Sequence, residues 1–225
     1  MEGTPLSDEF YIESHKGPYG VKFSPFQSLA CHSLDPLEDL VIIDRNLLTL
    51  YPDKFEDIES FRHLTIDASE ENKSLDKFPS YIEKLVKMNF KRNQKLVSFG
   101  GGITQDITCF IASTLMRGVE WEFHPTTLLA QADSCIGSKS SINSGNIKNI
   151  LGTFYPPKRI NIDVEFLSTL DHKDVLSGIG EMIKVHAIKG KSSLRSISNN
   201  YDELFTNQFI MKEFIKSYLQ FQKCS

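Results

Sequence analysis

The stretch Leu96–Lys148, LVSFGGGITQDITCFIASTLMRGVEWEFHPTTLLAQADSCIGSKSSINSGNIK, decides how the rest of the chain is read. Leu96 to Phe99 is a short apolar run of the kind a buried parallel strand shows. Gly100, Gly101 and Gly102 follow. Asp106 then opens a segment whose apolar residues, Ile107, Phe110, Ile111, Leu115 and Met116, recur at helical spacing. The order is strand, glycine turn, helix. Glycines let a ligand approach bare backbone. A helix start offers unpaired N–H groups and a positive dipole end, which suit a phosphate. A glycine triplet serves a tight strand-to-helix turn equally well with no ligand at all.

Arg117-Gly118 ends that helix, and Val119 to Phe123 reads as another strand. Thr126 and Thr127 place two hydroxyls just beyond it. Asp133, Lys139, Lys148 and Asn149 fall in a glycine- and serine-rich span, a poor core former and a good polar site.

Towards the N-terminus, Phe10 to Glu13 and Tyr19 to Phe23 flank His15-Lys16-Gly17-Pro18 as a hairpin. Phe26 to Cys31 is a short helix candidate. Leu40 to Ile43 is an apolar strand followed by Asp44-Arg45-Asn46. Ligands in open α/β sheets bind beyond the carboxyl ends of strands, so Asp44 and Asn46 are candidates to meet a ribose or adenine edge. An Asx turn capping Leu47 to Tyr51 is the alternative. His63 to Ile66 is the next strand, and a helix is expected from Leu75 to Met88.

Towards the C-terminus, Ile160 to Ile162 is the last strand expected. Val175, Ile179, Met182, Ile183 and Ala187 recur at helical spacing, as do the apolar residues of Tyr201 to Phe221. The pattern predicts an α/β fold, with a Rossmann-like parallel sheet over residues 1–170 and the start of an all-α part over 171–225.

Composition narrows the function. The 225 residues are 24% charged with a net charge of −4, and no basic run or basic–aromatic face points to nucleic acid. No apolar run approaches the ~20 residues of a membrane span. The start, MEGTPLSDEF, is acidic and does not resemble a secretory signal. The four cysteines lack CxxC spacing, which fits a reducing cytoplasm better than a zinc knuckle or redox pair. Cys109 and Cys135 are read as buried thiols.

PTTLLAQADSCIGSKSSIN, followed by IKNILGTFYPPKRINIDVEFLSTL and GEMIK, resembles 3-dehydroquinate synthase and the wider sugar phosphate cyclase superfamily, from about Tyr19 to about Ile188. The resemblance implies an enzyme that converts a seven-carbon keto-acid phosphate to a carbocycle with loss of phosphate. NAD would act catalytically, beside a divalent metal, zinc or cobalt. Glu70 and Lys73 match a Glu-x-x-Lys element that contacts NAD. Gly101, Gly102, Asp106, Thr126 and Thr127 match further NAD contacts, as do Phe166 and Thr169 with Leu167 and Ser168 between them. Asp133, Lys139, Lys148 and Asn149 would line the pocket between cofactor and substrate. Glu181 matches a metal ligand, with Lys184 on the same helical face. Arg117 matches a phosphate-binding arginine offered across a homodimer interface.

Three positions depart from the family pattern: Gln105, Ser138 and Ile147 stand where glycines are expected. They leave open another sugar phosphate as substrate. Neither His172 nor His186 is spaced to share a metal with Glu181. The two histidine ligands expected further on have no match before Ser225, so the chain reads as truncated and its own turnover is in question. A non-catalytic NAD-binding module is the alternative of a different class.

Overall fold

The computed structural model describes residues 7–32 and 34–222. The acidic start up to Leu6, and Cys224, lie outside the described residues. In chain order the strands are β1 (Glu9–Ile12), β2 (Tyr19–Phe23), β3 (Asp39–Asp44), β4 (Arg62–Ile66), β5 (Lys95–Gly100), β6 (Glu120–Pro125), β7 (Ile142–Ser144), β8 (Ile147–Leu151) and β9 (Arg159–Ile162). The α-helices are α1 (Arg45–Leu50), α2 (Phe78–Lys87), α3 (Gly102–Thr114), α4 (His172–Lys189), α5 (Lys191–Asn199) and α6 (Gln208–Gln222).

Seven strands form one sheet in the order β1-β2-β9-β6-β5-β3-β4. All neighbours run parallel except the β1–β2 hairpin. The fold is therefore α/β with a largely parallel sheet, as the alternation of apolar runs and helical spacing predicts. Period-2 geometry sends successive side chains of β3 to opposite faces. Leu40 and Ile42 enter one apolar cluster, with Leu85 and Ile107 from the helices; Val41 and Ile43 enter another, with Phe26, Phe55, Phe99 and Phe166. Both faces of β3 and β5 are thus covered, which is why β3, and β5 apart from Ser98, read as apolar runs.

The chain runs from β3 outward to β4, then returns to the other side of β3 as β5 and continues to β6. This reversal opens a crevice beyond the carboxyl ends of β3 and β5, the position where open α/β sheets bind ligands.

Several elements differ from the sequence reading. Helix α3 begins at Gly102, four residues before Asp106. Phe26 to Cys31 is not helical beyond a 3₁₀ turn at Ala30–His32, and the Phe26 N–H donates to Asp163 Oδ2 at 2.9 Å. Residues Leu75–Lys77 form a 3₁₀ turn ahead of α2, whose first turn accommodates Pro79. The glycine- and serine-rich span is not all loop: β7 and β8 pair in a separate hairpin, turned at Gly145 with φ +56°. Tyr201 to Phe221 divides at Asn207, whose Oδ1 accepts the N–H groups of Phe209 and Ile210 and starts α6 anew. Helix α5 was not anticipated.

The helices after residue 170 share the sheet's core. One apolar cluster runs from Leu128 and Ala130 through Ile179 and Met182 to Ile215, Tyr218 and Leu219. Helix α4 sits so close to Leu128 that a Cβ at Gly178 would lie 2.4 Å from Leu128 Cγ. No helix among the described residues is long and apolar enough to cross a membrane.

Candidate functional site

The crevice wall on the β5 side is the glycine turn. Gly101 caps α3 without any side-chain cap, so the first-turn N–H groups of this 13-residue helix are left for a ligand or solvent. The three glycines have separate reasons. A Cβ at Gly100 would lie 2.5 Å from Thr104 Oγ1, and one at Gly101 would lie 2.9 Å from Thr127 Cγ2. Both are required by the protein's own packing. A Cβ at Gly102 meets nothing nearer than Ser134 Oγ at 3.7 Å, so this glycine is the open one. Thr126 is buried and its N–H donates to Gly100 O at 2.9 Å, tying the end of β6 to the turn.

The crevice wall on the β3 side is Asp44. Its carboxylate accepts the Asn46 N–H at 3.1 Å and caps α1, and burial pushes its pKa up. The Asx reading therefore holds for Asp44, and Asn46 is exposed beside it.

One turn along α3 from Gly102, at Asp106, lies a polar network. Lys73 is buried, and its ammonium reaches three acceptors: Asn149 Oδ1 at 3.0 Å, Asp106 Oδ2 at 3.3 Å and Glu70 Oε1 at 3.3 Å. An ammonium has three N–H donors, so all are matched. Asp106 also accepts the Ser141 N–H at 2.9 Å. Burial is the largest influence on Asp106 and pushes its pKa up to about 6, against the pull of Lys73. Asn143 holds the far side: its Nδ2 donates to Glu70 O and to Glu70 Oε2, each at 3.0 Å, and its Oδ1 accepts the Asn149 N–H at 2.9 Å. That hydrogen bond, ahead of the Lys73 charge, lowers the Glu70 pKa. Lys148 is exposed on β8 and adds a smaller pull on Glu70.

A second group forms where α4 and α6 pack on a π-helical turn, Ala130–Ser134. Asp133 accepts from the Tyr218 hydroxyl at 3.0 Å, and Glu181 is ion-paired with Lys184. Burial, then Asp133, pushes the Tyr218 pKa up. Asp133, about 50 residues upstream, is thereby brought near the Glu181–Lys184 pair on α4. Gln105 secures this turn from α3: Ser134 Oγ donates to Gln105 Oε1 at 2.7 Å, and Gln105 Nε2 donates to Ser134 O.

The remaining predicted residues are scattered. Lys139 is exposed, with its backbone bridging Phe154. Phe166 is core, packed edge-on against Tyr51 at 5.1 Å. Thr169 Oγ1 donates to the Tyr51 hydroxyl at 2.9 Å. Arg117 lies beyond the opposite end of α3, in a 3₁₀ turn with φ +69°, and α3 alone spans ~18 Å at ~1.5 Å per residue. Sequence reasoning missed Asn143 and Tyr218. The first lay in a span read as loop, and the second on an apolar helical stripe where an aromatic reads as core.

A cleft of about 440 Å³ opens elsewhere, among Leu128, Leu167, Val175, Phe205 and Met211. Its lining holds no acidic side chain and no lysine or arginine, while the glycine turn offers free helix N–H donors with Asp106 and Lys73 close by, so the chemistry favours the crevice over this cleft. His124 belongs to neither. It is buried and stacked on Phe99 at 4.2 Å, and burial holds its pKa well below the ordinary value.

The residues at the crevice fit NAD: an uncapped helix start beside an open glycine for the pyrophosphate, and carboxylates of Asp44 and Glu70 for ribose hydroxyls. The metal fits less well. Among the described residues no three of His, Cys, Asp and Glu come together, and Glu181 is held by Lys184. These residues alone do not make a catalytic metal site, which takes three protein ligands.

The family described as 3-dehydroquinate synthase N-terminal matches residues 63–177, just over half of the chain. The chain belongs to the 3-dehydroquinate synthase family. The 3-dehydroquinate synthase of Clostridium tetani is 38% identical over 167 residues, covering 73% of this chain and 45% of that protein. The same enzyme of Staphylococcus epidermidis is 36% identical over 187 residues, covering 82% of this chain and 52% of that one. The chain spans about half the length of the curated relatives it matches. Among solved structures, the 2-epi-5-epi-valiolone synthase of Streptomyces hygroscopicus, with NAD+ and Zn2+ bound, shares the fold with a TM-score of 0.75 at 24% identity over 90% of this chain and 59% of its own. A 2-deoxy-scyllo-inosose synthase follows with 0.67 at 23% identity, over 78% and 52%.

Proposed function

We propose that this chain carries the NAD-binding half of a sugar phosphate cyclase of the 3-dehydroquinate synthase type. The observation that carries the reading is the crevice at the reversal of strand order, walled by Asp44 and by the uncapped start of α3. Family membership and the NAD held by the valiolone synthase support it. In this reading residues 1–170 bind the cofactor and 171–225 begin a helical part.

The chain's own groups would act as follows. The N–H groups of Gly102 and Ile103 hold the pyrophosphate, and Thr126 and Thr127 line the same turn. Glu70 and Asp44 accept from ribose hydroxyls, while Lys73 fixes Glu70 and Asp106. Phe166 and Thr169 would meet the cofactor's outer edge. Lys139, Lys148, Asn149 and Lys184 would hold the carboxylate and phosphate of a seven-carbon keto-acid phosphate, with Asp133 beside them. Arg117 would serve the site of a second copy in a homodimer. NAD, when bound, supplies reversible oxidation of a substrate alcohol. Glu181 would contribute one ligand to a zinc or cobalt ion whose other ligands are not among the described residues.

Gln105 favours a second reading of the substrate. It ties α3 to the turn that carries Asp133, where the family pattern has glycine, and so reshapes the pocket wall. A related cyclase acting on another sugar phosphate is that reading.

Calorimetric titration with NAD tests the proposal. Binding that Gly102→Val abolishes is expected, because that side chain would fill the open space at the helix start. Absence of both heat and thermal shift at millimolar NAD would refute it.

A further inference from the structure

We propose that Asn143 is a positioning residue that couples the Glu70–Lys73 turn to the β7–β8 hairpin, so that both polar walls beside the crevice move as one unit. The inference rests on the NAD reading of the crevice. Asn143 touches neither the glycine turn nor Asp44. It joins segments more than 70 residues apart in sequence, since its bonds to Glu70 span 73 positions.

Its backbone N–H and both ends of its side-chain amide are used. Its N–H donates to Lys73 O at 2.9 Å, and its Nδ2 to the carbonyl and the carboxylate of Glu70. Its Oδ1 accepts the backbone N–H of Asn149 at 2.9 Å. Ser74 and Asn143 also face each other as an isolated parallel bridge. The inner strand is anchored by buried Ile142 and the hairpin's base by Ser140 and Thr153, but the outer strand is loosely held: all five residues of β8 are exposed, and among the described residues β8 pairs only with β7. Asn149 reaches the network from this hairpin, and Lys148 stands next to it. Only an amide fits the join, because one end must donate to a carboxylate while the other accepts from a backbone N–H. Rotation of the Glu70 carboxylate towards a ribose would therefore carry Asn149 with it, through the Asn143 side chain and through Lys73.

The test is amide hydrogen exchange on the full chain, with and without NAD, alongside calorimetry. In the wild type, NAD should slow exchange at the start of α3 and also across residues 147–151. Asn143→Asp keeps the oxygen that faces Asn149 but sets a carboxylate oxygen against Glu70. Hydrogen bonds to charged groups are worth about 1.5–3 kcal/mol, so the Kd for NAD should rise about tenfold or more. The slowing should persist at α3 and vanish in the hairpin. Adding Glu70→Gln returns an N–H donor to the pair while its amide oxygen can still accept from a ribose hydroxyl, and hairpin protection should return at saturating NAD. Loss of mere packing would not be rescued by reversing the polarity of one hydrogen bond.

Equal NAD-linked protection in wild type and Asn143→Asp overturns the proposal, as does failure of the double variant to restore it. Should the single variant not fold, a folded and protected double variant supports the coupling and an unfolded one overturns it. If NAD slows exchange nowhere in the wild type, the NAD reading falls. The coupling is then decided by the Asn149 amide alone, which must exchange about tenfold faster in Asn143→Asp and recover in the double variant.

Discussion

Asp106→Asn gives the sharpest test of the polar network. Asp106 is a carboxyl whose ordinary pKa of 3.8 is raised to about 6, because burial outweighs the attraction of Lys73. A folded-state value above the unfolded one means that the protonated carboxyl favours folding. The contribution is fully present below about pH 3.8 and is lost as pH rises through about 6. A rise of about two units corresponds to about 3 kcal/mol. Asparagine cannot titrate, and its oxygen can still accept the Ser141 N–H, which lies 2.9 Å from Asp106 Oδ1. Lys73 loses one charged acceptor of three, a cost of about 1.5–3 kcal/mol. The variant should therefore be at least as stable as the wild type at pH 7, by up to about 1.5 kcal/mol. Urea unfolding followed by circular dichroism at pH 4, 5, 6 and 7 measures this. The stability of the wild type minus that of the variant should fall by about 2–3 kcal/mol across the series. A difference that is flat or rises with pH would show that Asp106 is stabilised as a carboxylate and that the network is organised by charge rather than by burial.

Gly101→Val should lose about 1–3 kcal/mol in urea unfolding with or without NAD, because its side chain meets Thr127, while Gly102→Val should stay within about 1 kcal/mol of the wild type. Equal losses at the two positions would refute the separate roles given to these glycines. Gly178→Ala should cost about 1–3 kcal/mol by driving α4 off Leu128; combining it with Leu128→Ala should recover part of that loss as a coupling of at least ~0.5 kcal/mol, measured by a double-mutant cycle. Tyr218→Phe removes the hydroxyl that Asp133 accepts from, and should lower stability by about 1 kcal/mol in the same unfolding assay.

Much of the sheet was legible because its central strands are buried on both faces. Leu40 to Ile43 has no polar position, and the one in Leu96 to Phe99, Ser98, is buried against Thr108 rather than turned to water. The strand–glycine–helix order and the carboxyl-end positions of Asp44 and Thr126 followed from that. The hairpin at residues 142–151 was not legible, since β8 is exposed throughout and carries no burial pattern to read. The first turn of α3 was missed for a related reason: glycines are poor helix formers, and only the end of β5 fixes where this helix begins. Gly101 was read as making room for a ligand, whereas it makes room for Thr127, a neighbour 26 positions away that local sequence cannot reveal. Glu70, Lys73, Asp106 and Asn149 were each named from resemblance to a family, in three separate sets and not as one group. Nothing in the spacing of those residues implies that one ammonium will touch the other three.

The strand order also governs how the protein can be made. Strand β2 lies between β1 and β9, and Gly20 pairs with Arg159, about 140 residues later in synthesis. A ribosome adding about 5–20 residues per second needs roughly 7–28 s to reach that partner. Through this interval the first hairpin has no parallel neighbour, and Val21 and Phe23, buried in the finished molecule, remain open to water. The inner strands β3, β5 and β6 can assemble as they emerge, but the sheet closes on its N-terminal side only after β9 leaves the exit tunnel. Nascent chains arrested before residue 159 should therefore present the first hairpin to chaperones and proteases, and those arrested after β9 has cleared the tunnel should protect it.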